Sequence, residues 1–193
     1  MTLNPTAASL LGFLHRGPLT GWELQVWIER SIGNFWNVTR SQVYRELKTL
    51  AAAGLLRAGA TGKRDKQPYS ITAAGRDAFR TWIAQPPASD ILRLPLVVSV
   101  FFGEHIEPDL LRRYLQTARL QHEAQRAHFL TLRERVQDPF QRATLELGIE
   151  YEALLGRWAG SLPWAQDAAA LRGRVADGNG VGKPRARSRA SKR

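Results

Sequence analysis

The most informative segment of the chain is Ser41-Gln42-Val43-Tyr44-Arg45-Glu46-Leu47-Lys48-Thr49-Leu50. On a helix, at about 100° per residue, its apolar positions form one narrow stripe: Val43, Leu47 and Leu50. The opposite side is polar and basic: Ser41, Arg45, Lys48 and Thr49, with Gln42 and Tyr44 on the flanks. These side-chain types hydrogen-bond base edges and phosphates in a DNA major groove. An ordinary surface helix can divide in the same way, so this helix alone does not decide the function.

The residues after this helix predict a β-hairpin with a basic tip. Gly54 ends the helix, because glycine adopts the left-handed conformation without a steric penalty. Two short apolar stretches around Leu56 and Ile71 flank a glycine-rich turn, and Thr72 opens a further helix. The turn carries three cations that can reach a sugar-phosphate backbone: Lys63, Arg64 and Lys66. Helix, basic hairpin and helix is the order of a winged helix-turn-helix, whereas a solvated loop is the alternative for the turn alone.

The first forty residues predict two more helices. Leucines recur at helical spacing up to Leu14, and Gly17-Pro18 ends this first helix. Thr20, with Glu23 three residues later, forms a capping box for the second helix, and Thr39 caps the helix of the opening stretch. The buried edge of the second helix is expected to hold Trp22, Val26 and either Ile28 or Glu29. In the turn after it, Phe35 and Trp36 are expected to be core residues.

The middle of the chain is predicted to be helical. Pro86-Pro87-Ala88-Ser89 is a short linker, and Leu92 to Phe102 is an apolar segment that must be buried somewhere. A long helix begins at Glu107-Pro108-Asp109, and a second begins after Asp138-Pro139. Apolar residues recur along both helices at coiled-coil-like steps. Phe140 and Thr144 begin the apolar seam of the second helix. The residues expected to form the dimer contact are Leu111, Leu115, Ala118, Phe129, Leu132, Leu147, Tyr151, Leu154 and Trp158.

These two helices and one short apolar segment offer too little core to cover both seams. Pairing with a second copy is the economical solution, and a homodimer suits a winged helix that reads a palindrome. The alternative is that the seams fold onto the chain's own N-terminal domain. His122 interrupts the seam, and we interpret it as a satisfied core residue rather than a sensor.

The charge is strongly basic and unevenly spread. The 193 residues contain 28 Lys and Arg against 17 Asp and Glu, which gives a formal net charge of +11. Residues 1–86 carry +6, residues 87–171 carry −2 and residues 172–193 carry +7. A polyanion is therefore expected to meet the N-terminal domain and the tail. The tail is predicted to be disordered, and either a solubilising extension or a DNA tether fits its composition.

Several chemistries lack the residues they need. The chain has no cysteine, which excludes disulfides and thiolate metal sites. No histidines stand at metal-ligand spacing and no catalytic motif is present, so the sequence predicts no metal, no cofactor and no enzyme. The longest apolar run is about half of a membrane span. The chain is therefore expected to be soluble and cytoplasmic.

Residues from Leu10 to Pro87 resemble the PadR family of transcriptional regulators. The matching pieces are Leu11-Gly12-Phe13-Leu14, Gly17-Pro18-Leu19-Thr20-Gly21-Trp22-Glu23-Leu24, Phe35-Trp36 and Tyr69-Ser70-Ile71-Thr72-Ala73-Ala74-Gly75-Arg76. Gln42-Val43-Tyr44-Arg45-Glu46-Leu47 is similar to the AphA-type branch, although many members have proline where Arg45 stands. The resemblance implies a dimeric, cytoplasmic, bacterial DNA-binding regulator. It also implies that a small aromatic effector can be a partner, since some relatives bind one.

The expected fold is mainly α. A winged helix-turn-helix of three helices, a two-stranded wing and a following helix is expected over residues 1–87. An antiparallel helical dimerisation domain is expected over residues 88–171 and a disordered basic tail over residues 172–193. Six tryptophans would also fit an aromatic pocket between the domains, although aromatic residues are usually core.

The expected function is sequence-specific binding of double-stranded DNA by a homodimer on a dyad-symmetric operator. Base-edge contacts are expected from Gln42 and Arg45, with Ser41 as a lesser candidate. Phosphate contacts are expected mainly from Tyr44, Lys48, Lys63, Arg64 and Lys66. The alternative is a winged-helix adaptor that binds proteins without reading DNA, and the basic wing and tail argue against it.

Overall fold

The computed structural model describes residues 3–60, 62, 67–89 and 92–167, which fall into two compact units divided between residues 90 and 91. The N-terminal unit contains α1 (Pro5–Leu14), β1 (Leu19–Thr20), α2 (Gly21–Ser31), α3 (Arg40–Ala52), β2 (Leu56–Ala58), β3 (Pro68–Ile71) and α4 (Ala73–Ile83). The C-terminal unit contains α5 (Pro95–Phe101), a 3-10 turn (Gly103–His105), α6 (Pro108–Arg133), α7 (Pro139–Ser161) and α8 (Pro163–Gln166). The mainly helical fold class predicted from the sequence is confirmed.

Side-chain caps start the helices of the N-terminal unit where the sequence predicts them. The Thr20 hydroxyl accepts from the Glu23 backbone N–H at 3.2 Å, and the Glu23 carboxylate accepts from the Thr20 backbone N–H at 2.7 Å. This reciprocal pair is the predicted capping box. Thr39 and Thr72 cap α3 and α4 through their own hydroxyls. Gly54, with φ of +70°, occupies the left-handed position predicted just after α3.

The wing stands on a three-stranded sheet, one strand more than predicted. β3 is central and pairs antiparallel with β2, so that Leu56 lies opposite Ile71. On its other side β3 pairs with β1, where Leu19 lies opposite Tyr69. A strand of only two residues has no alternating pattern that a sequence could reveal. β1 leads directly into α2 and thereby ties the start of that helix to the base of the wing.

Aliphatic side chains fill the core of the N-terminal unit. Its largest fully buried residues are Leu10, Leu11, Leu14, Leu24, Ile28, Val43, Leu47 and Leu50. The predicted apolar stripe of α3 is thereby confirmed. The expectation that Trp22, Phe35 and Trp36 face the core is wrong, because they remain 56%, 41% and 37% exposed. α2 turns Leu24 inward instead, and at 100° per residue Trp22 lies roughly 160° away from it.

The C-terminal unit is built on an antiparallel pair of long helices, as predicted. α6 has 26 residues and α7 has 23. A β-carbon on Gly148 would meet Phe129, whereas one on Gly160 would meet Arg119, so the end of one helix lies beside the start of the other. α8 completes a core cluster of this unit, whose buried residues are Leu111, Leu115, Ala159 and Ala165.

The face of α7 that meets α6 differs from the predicted seam. The buried positions of α7 are Gly148, Ile149, Glu152, Gly156 and Ala159. Three bulky residues of the predicted dimer seam are exposed in the single chain: Phe140 at 83%, Leu147 at 59% and Leu154 at 55%. The distance between two packed helices depends on the side chains at their contact. The glycine face allows a close approach, and the bulky residues therefore point outward.

The apolar segment from Leu92 to Phe102 also differs from expectation. No residue of α5 is buried, and Val98 and Phe101 are 58% and 77% exposed. Leu96 and Val100 pack against the core of the C-terminal unit, whereas the described part of the single chain leaves Val98 and Phe101 uncovered. Over the same part, no helix is both long enough and apolar enough to span a membrane.

Candidate nucleic-acid interface

α3 presents a basic, polar face on a rigid support. Ser41, Arg45 and Lys48 are exposed on successive turns of the helix. Behind them, Val43 and Leu47 are fully buried in the core of the N-terminal unit. Major-groove readout needs such an arrangement, because donors reach base edges only when the helix that carries them is held in one orientation.

Gln42 is less free than the sequence suggests. Its side-chain oxygen accepts from the Thr39 backbone N–H at 2.8 Å and from the Thr39 hydroxyl at 3.0 Å, as part of the capping box of α3. Asn and Gln read adenine with one donor and one acceptor. With its oxygen engaged, Gln42 retains only its NH2 group for a base, so Arg45 becomes the stronger candidate.

Tyr44 is half-buried at the contact between α3 and the start of α2. A β-carbon on Gly21 would lie 2.8 Å from the Tyr44 ring, so glycine is required for this close approach. The guanidinium of Arg40 lies over the same ring, 5.6 Å from its centre. Arg40 is an exposed cation that sequence reasoning missed, because it directly precedes the stretch that forms the two-sided pattern.

Arg45 contacts a buried carboxylate on its own helix. Its Nη2 atom donates to Oε1 of Glu46 at 3.3 Å. The Arg45 side chain is 67% exposed and that of Glu46 only 8%. Sequence reasoning missed Glu46 as well, because its angle on the helix lies between the apolar stripe and the polar face.

The base of the wing is described, whereas its predicted cations are not. Lys63, Arg64 and Lys66 lie outside the described residues. At the base, the Tyr69 hydroxyl donates to the Gln67 side-chain oxygen at 3.1 Å. Burial raises the pKa of Tyr69 above its usual value, and the neighbouring Tyr44 raises it further. The hydroxyl therefore stays a hydrogen-bond donor at neutral pH.

An open apolar cleft of about 480 Å³ lies elsewhere on the N-terminal unit. Its lining includes the aromatic rings of Phe13, Trp36, Phe79 and Trp82, and it includes one cation, Arg16. The Arg16 guanidinium lies 5.5 Å from the centre of the Trp27 ring. Such a cleft can take a small planar molecule, with a cation near its edge for an anionic substituent.

The predicted dimerisation residues fall into three groups. Leu111 and Leu115 are fully buried in the unit's own core, so a second copy cannot touch them, and this part of the expectation is corrected. Leu147 and Leu154 are largely exposed. The remaining five are half-buried: Ala118, Phe129, Leu132, Tyr151 and Trp158.

His122 lies at the contact between α6 and α7. Its Nδ1 atom lies 2.5 Å from Oε2 of Glu152, whose side chain is 4% exposed. The interpretation of His122 as a satisfied residue of the helix contact is confirmed. Among the described residues, no group of three or more His, Asp or Glu side chains could hold a metal ion.

The winged N-terminal unit has a sequence counterpart among known proteins. Residues 10–81 match the model of the transcriptional regulator PadR-like family. These residues carry a PadR-like family domain. Residues 92–162 match a second model, the virulence activator alpha C-terminal region, so the two models account for most of the chain. The resemblance to the AphA-type branch therefore extends into the C-terminal unit.

Two regulators are similar to parts of this PadR-like chain. The negative transcriptional regulator PadR of Bacillus subtilis is 28% identical over 98 residues, which cover 49% of this chain and 54% of that protein. A probable transcriptional regulator of Mycobacterium tuberculosis is 39% identical over 70 residues, which cover 35% of this chain and 37% of that protein. The chain thus matches only about half or less of each relative's length.

Solved structures share the whole fold of the PadR-like chain at low identity. Bacillus subtilis PadR in complex with operator DNA has a TM-score of 0.68 at 20% identity, covering 86% of this chain and 98% of that one. The same protein has also been solved with p-coumaric acid, at a TM-score of 0.62, 19% identity and coverage of 88% and 98%. The Vibrio cholerae virulence activator AphA has a TM-score of 0.66 at 23% identity, covering 86% and 99%.

Proposed function

We propose that this PadR-like chain is a sequence-specific DNA-binding transcriptional regulator, acting in the bacterial cytoplasm as a homodimer on a dyad-symmetric operator. One observation carries the proposal: Ser41, Arg45 and Lys48 are exposed on one side of α3, whose opposite side is locked into the core. The +6 charge of residues 1–86 supports attraction to a polyanion.

The proposed contacts divide by chemistry. Arg45 reads a base edge, because a guanidinium can donate two parallel hydrogen bonds to guanine. Ser41 and the Gln42 NH2 group assist it. The proposed phosphate contacts come from cations and a hydroxyl: Tyr44, Lys48, Lys63, Arg64 and Lys66. The proposed domains remain residues 1–87 for DNA binding and 88–171 for dimerisation, with the predicted basic tail outside the described residues.

A homodimer is supported by two uncovered apolar surfaces of the C-terminal unit. On α7, Phe140, Leu147 and Leu154 recur every seven residues and are all more than half exposed. On α5, Val98 and Phe101 are exposed as well. Large contiguous apolar patches on a soluble protein mark interaction sites. In a two-fold symmetric dimer, the α7 and α5 surfaces of one copy would be covered by the equivalent apolar surfaces of the other copy.

Regulation by a small aromatic acid is supported by the aromatic cleft of the N-terminal unit. In titrations with p-coumaric acid, tryptophan fluorescence is expected to change in a saturable way, because Trp36 and Trp82 line the cleft. Trp36→Ala should abolish most of this binding. Trp22→Ala is the matched control, since Trp22 is also exposed but lies outside the cleft. Equal weakening by both variants would contradict an effector site in the cleft.

The experiment that tests the proposed function is selection from fragmented genomic DNA. The purified protein is incubated with fragments of its source genome, and the retained fragments are sequenced. We expect one inverted-repeat motif, because a symmetric dimer places its two α3 helices on equivalent half-sites. Salt-sensitive retention of random fragments would contradict specific readout and favour the adaptor alternative. Genes beside a recovered motif would identify what the protein regulates.

A further inference from the structure

Glu46 is a charged residue that the core of the N-terminal unit has to accommodate. Among the described residues, only Glu46 and Glu152 are charged and buried, at 6% and 3% exposure. A buried carboxylate is unfavourable unless hydrogen bonds and an ion pair compensate for its lost hydration. Glu46 is also the only acidic residue of α3, the helix that carries the proposed base contacts. Its interactions therefore bear on DNA readout as well as on folding.

One carboxylate oxygen of Glu46 is hydrogen-bonded to Asn4, which lies at the start of α1. Oε2 accepts from the Asn4 side-chain NH2 group at 3.1 Å. Asn4 is itself immobilised, because its Oδ1 atom caps α1 by accepting from the Ala7 backbone N–H at 2.8 Å. Asn4 thus links the start of α1 to the middle of α3. The hydrogen bond from Asn4 therefore holds the Glu46 carboxylate in one position, from which its other oxygen can contact Arg45.

The second Glu46 oxygen holds Arg45. One N–H of the guanidinium donates to Oε1 at 3.3 Å, while the Arg45 side chain stays 67% exposed. A guanidinium has five N–H donors in a rigid plane. Using one of them for Glu46 leaves enough for a bidentate contact with guanine and restricts the orientation of the plane. The Arg45 side chain is then already partly ordered in the free protein, so less conformational entropy is lost when it binds DNA.

We propose that Glu46 is a positioning residue for DNA specificity, which rests on the proposed function. Its anchored carboxylate orients Arg45 toward a base edge. Its negative charge also opposes the use of Arg45 as a general phosphate clamp, because phosphates near α3 meet a carboxylate beside the cation. Both effects increase the difference in affinity between the operator and random DNA. The first strengthens binding to the operator, and the second weakens binding to other sequences.

The test is the affinity of Glu46→Gln for the selected operator and for random DNA across a salt series. Glutamine keeps the shape and one acceptor oxygen but removes the charge. We expect the preference for the operator to fall about tenfold, within the range of one bidentate base contact. Binding to random DNA should become more salt-sensitive by about one unit of logarithmic slope, as Arg45 becomes free to neutralise a phosphate.

Two further variants separate positioning from general effects. Glu29→Gln, on α2, changes the net charge equally at an exposed site and should leave the preference unchanged. Asn4→Ser keeps a good helix cap but removes the side-chain NH2 group that reaches Glu46. It should lower the preference without raising affinity for random DNA, because the carboxylate loses its anchor and keeps its charge. Thermal unfolding of each variant checks that the fold is retained.

A double-mutant cycle with Arg45→Ala identifies the route of the effect. If Glu46 acts through Arg45, Glu46→Gln should change the preference little once Arg45 is alanine. Additive losses would overturn the inference, as would a full operator preference in Glu46→Gln. A wild-type protein that binds random DNA as tightly as its selected fragments would overturn the proposed function as well, so the two failures are distinguishable.

Discussion

The double variant Leu147→Glu and Leu154→Glu is expected to sediment as a monomer of 21.6 kDa, whereas we expect the parent protein to sediment at twice that mass. Both leucines are more than half exposed on α7, so the change should leave the fold of each chain intact. In the proposed dimer the new carboxylates would face apolar residues of the second copy. Burying a charge without a partner is strongly unfavourable, and the interface should therefore be lost.

Loss of the dimer should have a large effect on DNA binding. Two linked binding units engage two half-sites with an avidity about 10²–10⁴ times that of one unit. The monomeric variant should therefore bind a full operator about as weakly as the parent protein binds a half-site, as measured by titration at constant salt. This is the largest effect that we expect from any surface substitution.

The control for the double variant is Gln121→Glu, which adds a carboxylate at an exposed polar position of α6. Far-UV circular dichroism should be the same for all three proteins. A parent protein that is already monomeric at micromolar concentration would contradict the homodimer. A double variant that stays dimeric would instead place the interface away from this face of α7.

His122→Leu is expected to lower the free energy of unfolding by about 3–5 kcal/mol. The substitution removes the contact between His122 Nδ1 and Glu152 Oε2, while the Glu152 side chain stays between α6 and α7 with only 4% exposure. The charge of this carboxylate is also felt at Tyr151, whose pKa is raised first by burial and then by Glu152. Denaturant unfolding of the full chain, followed by circular dichroism, measures the loss.

A matched pair on the same helices tests whether burial is the cause. Arg119 Nε donates to Glu123 Oε1 at 2.7 Å, but both side chains are about half exposed. Arg119→Leu should therefore cost at most about 1 kcal/mol. The double variant His122→Leu and Glu152→Leu should recover most of the stability, since two apolar side chains replace the whole pair. Equal losses from His122→Leu and Arg119→Leu would contradict the explanation by burial.

Most of the N-terminal unit could be predicted from the sequence because its signals are local. A capping box needs only Thr20 and Glu23, three residues apart, and the apolar stripe of α3 needs only one helical period. The two-stranded part of the wing follows from a glycine-rich turn between short apolar runs. The exposed positions of Ser41, Arg45 and Lys48 follow from the same helical period as the stripe.

The tertiary structure decided which residues these elements meet. Glu46 accepts a hydrogen bond from Asn4, which lies 42 positions earlier in the chain, and no periodic pattern in the sequence predicts such a contact. On α7, both the glycine face and the leucine face are compatible with helix packing. The structure selects Gly148 and Gly156 for the contact with α6 and leaves Leu147 and Leu154 exposed.

The start of each helix, the polar side of α3 and the resemblance of the N-terminal unit to PadR-like regulators can all be read from the sequence. These properties depend on interactions within a few residues, or on motifs that a single chain carries. The tertiary structure was needed to show that Asn4 anchors Glu46, that α7 packs on α6 through its glycine face, and that Leu147 and Leu154 stay uncovered. Those outcomes depend on packing between distant segments. Local sequence preferences do not distinguish between two helix faces such as those of α7, so the face that packs more closely against its neighbour is the one that is buried.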